Sequence, residues 1–228
     1  MLWIYHSDGT REPRRSGPDF PSGDSIRRSS KGPRLIIQND VSSLLVWLRD
    51  VPMRAEDLDH QELLELDADG GVIRFAGQRA LLLDAIAMGL LRKYLVENFG
   101  VNAARAVLTQ FGFAHGWRMA EALKAQFNWD TEEDWRRAGT RLPALAGLFR
   151  IEPGSEGPLS ATGMLLGTSY EAEQHLLHFG QVTEPVCWTI CGLISGYMSK
   201  SSGKEIFVQE DRCLGRGDAA CHFHGRTR

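Results

Sequence analysis

The sequence predicts an α+β fold, with a helix-rich N-terminal half followed by a small mixed sheet with helices and a C-terminal hairpin. Apolar residues recur with helical spacing between residues 81 and 138, and short β-type runs separated by turn residues follow Gly147. The four cysteines all lie in the final quarter of the chain. Because 43% of the 228 residues are hydrophobic, the chain can bury one substantial core.

The charge distribution separates a basic tail from an acidic body. Residues 1–34 hold seven Arg and Lys against four Asp and Glu, whereas the whole chain has a formal net charge of −3. This balance does not favour direct binding to nucleic acid or to an anionic membrane. The N-terminus lacks the apolar core of a secretion signal, and no window has the ~18 apolar residues of a membrane span. We therefore expect a cytoplasmic protein.

Three segments of the front half have distinct patterns. Residues 6–34 are rich in Gly, Pro, Ser and Arg, a composition typical of disorder or of order only against a partner. Residues 34–48 carry enough aliphatic side chains to be ordered. Gly70 and Gly71 predict a turn that enters a short strand from Val72.

Helices and strands then follow in order. From Leu81 to Leu95, apolar residues have the spacing of one buried helical stripe. Asn102 is the predicted cap of a second helix that ends at Asn128, and Thr131 with Asp134 resembles a capping box for a third helix. The remaining predicted elements are strands at 148–151, 164–166, 205–210 and 220–223, and helices at 170–179 and 185–199.

The cysteines carry the clearest chemical signal. Cys187 is predicted on the first turn of a helix, whose dipole favours a thiolate, while Cys213 and Cys221 flank the hairpin sequence LGRGD. Three thiolates on rigid elements suit a structural zinc ion, which needs four ligands. On chemistry alone the alternative of buried, inert cysteines stays open. So does the fourth ligand, for which the candidates are Cys191, Glu210, His222 and His224.

Longer motifs resemble a known family. The stretch EPVCWTICGLISGY followed by QEDRCLGRGDAACHFHG is similar to the zinc-bearing 4-vinyl-reductase-type module in the sensory domains of XylR-like activators of the NtrC class. The runs FAGQRALLLD, FGFAHGWRMAEAL and AGTRLPALAGLFRIEP match the same sensors in order and spacing, from about Ile73 to the end. In that family the zinc ligands are Cys, Glu, Cys and Cys. The corresponding residues here are Cys187, Glu210, Cys213 and Cys221.

The resemblance also implies a function. It implies a regulatory domain that binds a small aromatic effector, a homodimer, and control of a sigma-54-dependent ATPase located further along the polypeptide. The sequence printed here ends soon after the zinc hairpin, so we expect either a sensor fragment acting in cis or a free-standing sensor acting in trans. We expect three regions, namely a tail at 1–34, a sensor region at 35–160, and a continuous zinc module at 161–228.

Two other function classes compete with this one. A carrier of a tetrapyrrole or lipid is the alternative, because 4-vinyl-reductase-type modules also occur outside transcription factors. An enzyme is not expected, since cysteines committed to zinc in a closed site are neither nucleophiles nor Lewis-acid centres. The sequence also lacks a phosphate-binding glycine pattern that opens a helix after a strand.

The effector's contacts can be expected only through the resemblance. In phenol-responsive relatives a histidine and a tryptophan hydrogen-bond the effector's hydroxyl, and Ala138 and Leu166 occupy those positions here by spacing. A buried hydroxyl without a partner costs roughly 1–3 kcal/mol, so the pocket should favour apolar, larger aromatics over phenol. Met164, Cys191 and Tyr197 are the other predicted lining residues.

Overall fold

The structure, a computed structural model, describes residues 3–5, 11–13, 52–155, 157–160 and 162–228. It separates into two compact units, residues 1–40 and 41–228. In the first unit, β1 (Trp3–Tyr5) pairs antiparallel with β2 (Arg11–Pro13). The strand β2 falls within the tail predicted to be disordered, and the predicted ordered stretch at 34–48 lies outside the described residues.

The second unit begins with a small sheet. The short helix α1 (His60–Leu63) leads into β3 (Leu64–Asp67), which pairs antiparallel with β4 (Val72–Phe75), and β4 pairs with β5 (Gln78–Ala80). The predicted turn before β4 is confirmed, because Gly71 has a φ of 63°, a conformation that glycine adopts without strain.

Three long helices follow, α2 (Ala85–Phe99), α3 (Val101–Gln126) and α4 (Glu132–Leu145). The predicted cap at Thr131 is confirmed, since its hydroxyl accepts a hydrogen bond from the Asp134 amide at 3.0 Å. The predicted cap at Asn102 is wrong. The helix already begins at Val101, because Gly100 turns the chain there with a φ of 80°.

A four-stranded sheet and two helices complete the unit. The strands are β6 (Phe149–Ile151), β7 (Met164–Ser169), β8 (Ile206–Arg212) and β9 (Cys221–Thr227), in the spatial order β6-β7-β9-β8. Helix α5 (Tyr170–Phe179) has the predicted bounds, and α6 spans Trp188–Ser202. The α+β class is thereby confirmed, although all strand pairs of the described residues are antiparallel rather than mixed.

Helices α3 and α6 run side by side with their backbones in contact at glycines. A Cβ atom at Gly112 or Gly116 would lie 2.0 Å from a carbonyl oxygen of α6, and one at Gly192 or Gly196 would lie 2.0 Å from a carbonyl oxygen of α3. Side chains of α6 also enter the core formed with the four-stranded sheet. This pairing places α6 at the centre of the unit, with its N-terminus near the β8–β9 hairpin.

The predicted buried stripe on α2 is wrong. Leu83, Ile86, Leu90 and Tyr94 are between 50% and 61% exposed, although they have the spacing of one helical face. Helix α2 turns its small and charged side to the protein instead, where Gly89 and Arg92 are buried. An apolar stripe indicates that a face has a partner but does not say which partner.

None of the helices in the described residues is both long and apolar enough to cross a membrane.

Candidate metal centre and adjoining cavity

Three thiols and one carboxylate converge between α6 and the β8–β9 hairpin. Cys187 is the N-cap residue of α6, Glu210 lies on β8, Cys213 follows β8, and Cys221 begins β9. The Sγ atom of Cys187 lies 3.9 Å from that of Cys213 and 3.7 Å from that of Cys221, and the last two are 3.9 Å apart. One ligand atom from each residue lies within 4.8 Å of the others.

These separations suit a tetrahedral ion. Two sulfur atoms bound to one zinc at about 2.3 Å, with tetrahedral angles, would be about 3.8 Å apart. The Oε2 atom of Glu210 accepts a hydrogen bond from the Cys187 amide at 2.9 Å, while its buried Oε1 atom has no hydrogen-bond partner. An unpartnered carboxylate oxygen beside three thiols is the arrangement that a cation stabilises.

Burial makes this cluster unfavourable for negative charge in the protein alone. Burial, with Cys213 nearby, raises the pKa of Glu210 to about 8. Burial likewise raises the pKa of the Cys187 thiol well above its usual value. Metal binding requires deprotonated ligands, so an ion here would supply the positive charge that offsets burial.

The hairpin loop fixes the two cysteines on it. Main-chain amides donate to their sulfur atoms, from Gly215 to Cys213 and from Leu214 to Cys221, each at 3.4 Å. The Asp218 carboxylate accepts from the Cys213 amide at 2.7 Å, and Gly217 closes the loop with a φ of 92°.

The structure also separates the other candidates for the fourth ligand. Cys191 lies one turn along α6 and is not among the converging ligand atoms, whereas His222 and His224 belong to a different group with Asp211. The set implied by the resemblance is therefore the one that the fold brings together.

A buried ion pair lies beside the cluster, and no sequence pattern indicated it. The Arg92 Nη1 atom donates to the Glu171 carboxylate and to the Val186 carbonyl, both at 2.8 Å. Glu171 also accepts from the main-chain amides of Thr189 and Ile190 at the start of α6. It thus caps the helix that carries Cys187.

An apolar cavity of about 430 Å³ lies between α4, α6 and the four-stranded sheet. A volume of this size falls within the usual range for small-molecule sites. Its inner wall is formed by buried side chains, including Phe149, Leu193, Ile194 and Ile206. Charged side chains on its lining come from the exposed face of α4, at Glu133, Arg136 and Arg137.

Two of the predicted lining residues, Met164 and Tyr197, border this cavity. The other three do not: Ala138 and Leu166 are fully buried in the core, and Cys191 packs against the core formed with the sheet. Sequence reasoning missed the contributions of Phe149, Ile194 and Ile206. Their apolar character was visible, but only the fold shows which side of each strand or helix faces the cavity.

A closed thiolate cluster beneath an apolar cavity defines a class of small-molecule-binding domain. The chain matches the family described as "Activator of aromatic catabolism" over residues 59–156 and the 4-vinyl-reductase domain over residues 168–227. The structure is similar to the crystal structure of the phenol-responsive sensory domain of the transcription activator PoxR with phenol. The TM-score is 0.65 and the sequence identity 31%, with 73% of this chain and 86% of that chain covered.

Two full-length regulators are similar in sequence. The phenol regulator MopR of Acinetobacter guillouiae is 31% identical over 75% of this chain, and the transcriptional regulatory protein XylR of Pseudomonas putida is 29% identical over 77%. The chain spans about a third of each, 32% of the length. It belongs to the family of N-terminal sensory domains of aromatic-responsive transcription activators.

Proposed function

We propose that this chain binds a small apolar aromatic effector in the 430 Å³ cavity and thereby controls a sigma-54-dependent activator ATPase, in cis or in trans. The cavity itself carries the proposal, because it is lined by core side chains and lies in the domain type that senses aromatic compounds in the relatives. The role is regulatory rather than catalytic.

The polar groups of the cavity favour a hydrocarbon over phenol. The hydroxyl of Tyr197 donates to the Trp135 carbonyl at 2.8 Å, and that of Thr140 donates to the Arg137 carbonyl at 2.7 Å. The hydroxyl of Ser202 donates to the Met198 carbonyl, also at 2.7 Å. These protons are therefore already used, and an effector hydroxyl near the apolar wall would lose hydrogen bonds to water.

Calorimetry tests the effector class. Toluene, ethylbenzene and biphenyl should bind more tightly than phenol, and Ile194→Trp, which fills the cavity, should reduce all of these affinities. Leu177→Ala is the control, because Leu177 is 63% exposed on α5 and does not line the cavity. Tight phenol binding without hydrocarbon binding, or an unchanged affinity in Ile194→Trp, would contradict the proposal.

The assignment of Ala138, Leu166 and Cys191 as effector contacts stays a prediction. Imidazole and indole groups at the first two positions should restore hydrogen bonding to a hydroxyl. We expect the double variant Ala138→His, Leu166→Trp to shift selectivity toward phenol, provided that it folds. Circular dichroism checks folding, and competition between phenol and toluene measures the shift. A folded double variant with unchanged selectivity would remove both positions from the site.

We propose that Cys187, Glu210, Cys213 and Cys221 hold a structural zinc ion that joins the β8–β9 hairpin to α6. The sulfur separations and the unpartnered Glu210 oxygen support it. Structural zinc contributes on the order of 10 kcal/mol of apparent binding free energy, much of it coupled to folding.

Elemental analysis should therefore give one zinc per chain, and Cys213→Ala should give unfolded or insoluble protein. The matched control is Cys191→Ser, which should keep its metal. Purified protein with well under one zinc per chain, or a folded Cys213→Ala, Cys221→Ala double variant, would contradict the assignment.

We further propose a homodimer whose interface includes the exposed face of α2. Leu82, Leu90 and Tyr94 are 88%, 53% and 58% exposed, and continuous apolar surface of this kind usually marks an interaction site. Leu90→Glu should shift the chain toward monomer in sedimentation analysis. Phe207→Glu, a change on β8, should not. A monomeric unmodified chain at all concentrations would contradict the dimer.

A further inference from the structure

The described residues hold a second group of metal-binding side chains besides the cysteine cluster. Asp211, His222 and His224 each place one ligand atom within 4.8 Å of the others. On β9 successive side chains point to opposite faces, so His222 and His224 share the face opposite Cys221. The two groups therefore lie on different faces of the same hairpin.

A β-bulge brings Asp211 to this face. The register pairs Glu210 with Phe223 and Arg212 with His222, so Asp211 is an extra residue between two paired positions. Bulges of this kind redirect a side chain and are enriched near functional sites. As a result the carboxylate lies 2.6 Å from the His222 Nδ1 atom and 3.5 Å from the His224 Nε2 atom.

The hydrogen bonding of His222 calls for a cation. Its Nε2 atom lies 2.8 Å from the Thr162 carbonyl oxygen, which can only accept, so this nitrogen carries hydrogen. In the neutral ring the Nδ1 atom is then a lone pair that faces the Asp211 carboxylate at 2.6 Å. Two acceptors at this distance are stable only with a proton or a metal ion to share.

The same hydrogen bond has the form found around metal-ligating histidines, which usually donate their second nitrogen to a carbonyl or carboxylate. The local backbone is shaped for this contact. A Cβ atom at Gly163, which has a φ of 69°, would lie 2.4 Å from the His222 Nε2 atom. Only glycine allows the chain to approach the ring so closely.

We propose that Asp211, His222 and His224 form a second site, for an exchangeable divalent transition metal ion. Two imidazoles and one carboxylate suit Zn²⁺, Ni²⁺ or Cu²⁺. The His222 side chain is 10% exposed, whereas those of Asp211 and His224 are 45% and 48% exposed. One ligand is thus anchored and two face solvent, which leaves coordination positions open to water and makes the ion exchangeable.

A bound ion would also fix the turn at Thr162 and Gly163. These residues immediately precede β7, whose first residue, Met164, lines the apolar cavity. The second site is therefore connected through two residues to the wall of the proposed effector site.

Copper titration of the purified, zinc-loaded chain tests this site. The unmodified chain should bind one equivalent of Cu²⁺, with electron paramagnetic resonance showing two coordinated imidazole nitrogens. His224→Ala and Asp211→Asn should each weaken this binding by more than about tenfold, the lower end of the loss from outer-shell changes alone. Both residues are exposed, so these variants should keep their fold and their zinc.

The control is His115→Ala, because His115 is an exposed histidine on α3. Its copper affinity should match that of the unmodified chain. Three results would overturn the site: the absence of saturable binding beyond the zinc, equal weakening in His115→Ala, or a thiolate charge-transfer band showing that copper had entered the cysteine cluster instead.

Discussion

Helices α2 and α6 are both 15 residues long and rich in aliphatic side chains, yet α6 is buried along most of its length while α2 exposes most of its large side chains. The difference lies in what each helix contacts. Helix α6 is in backbone contact with α3 through glycines and enters the core with its side chains. Helix α2 touches the protein through Gly89 and the buried Arg92, and leaves its aliphatic face to solvent.

Apolar composition therefore does not decide which face of a helix is buried. On α2 the specific contact is polar, because Arg92 joins Glu171 and stacks over Trp188 with its Cζ atom 3.8 Å from the ring centroid. On α6 the specific contact is steric, because glycines let two backbones approach. Substitutions that remove either contact should be much more damaging than substitutions in the exposed aliphatic side chains.

The largest effect is expected from Arg92→Met. It leaves the fully buried Glu171 carboxylate without its cationic partner, a change that typically costs about 3–5 kcal/mol. Urea unfolding at a fixed zinc concentration measures the loss. Adding Glu171→Gln should recover part of it, since the uncompensated charge is removed. An Arg92→Met variant as stable as the unmodified chain would show that α2 is not held by this pair.

A slightly smaller effect, about 3 kcal/mol, is expected from Gly192→Ala, at the upper end of the cost of overpacking. The added Cβ would lie 2.0 Å from the Thr109 carbonyl oxygen, so α3 and α6 must separate.

The matched control for this change is Gly89→Ala on α2. There the added atom would lie 2.6 Å from the end of the Gln174 side chain, which can move, so the loss of unfolding free energy should be clearly smaller. Equal losses in the two variants would contradict the steric role assigned to the α3–α6 contact.

Local signals predicted a large part of this fold. The cap at Thr131, the turn at Gly71 and the bounds of α5 depend on residues within a few positions of one another, and all three agree with the structure. The cysteine cluster was predicted because its spacing matches a family pattern, and the fold brings its four residues together.

Long-range features could not be predicted in the same way. Arg92 and Glu171 are 79 positions apart, and nothing near either residue indicates that they pair. The α2 stripe has helical periodicity whichever surface it contacts. One signal was visible and overlooked: Gly112 with Gly116 and Gly192 with Gly196 are glycine pairs four residues apart, a spacing that allows two helices to approach closely.

The smallest effects provide the closest comparison, because one conservative change can be made in both helices. Ile190 of α6 is 1% exposed and Ile86 of α2 is 50% exposed. Removing one buried methylene from a core isoleucine costs about 0.5–1.5 kcal/mol, so Ile190→Val should lose about 1 kcal/mol of unfolding free energy. Ile86→Val should change it by less than about 0.5 kcal/mol, as is usual for surface positions. Both values should be measured at low protein concentration, where association through the α2 face contributes least. If Ile86→Val cost as much as Ile190→Val under these conditions, the α2 face would be covered within the single chain, and the proposed dimer interface would lie elsewhere.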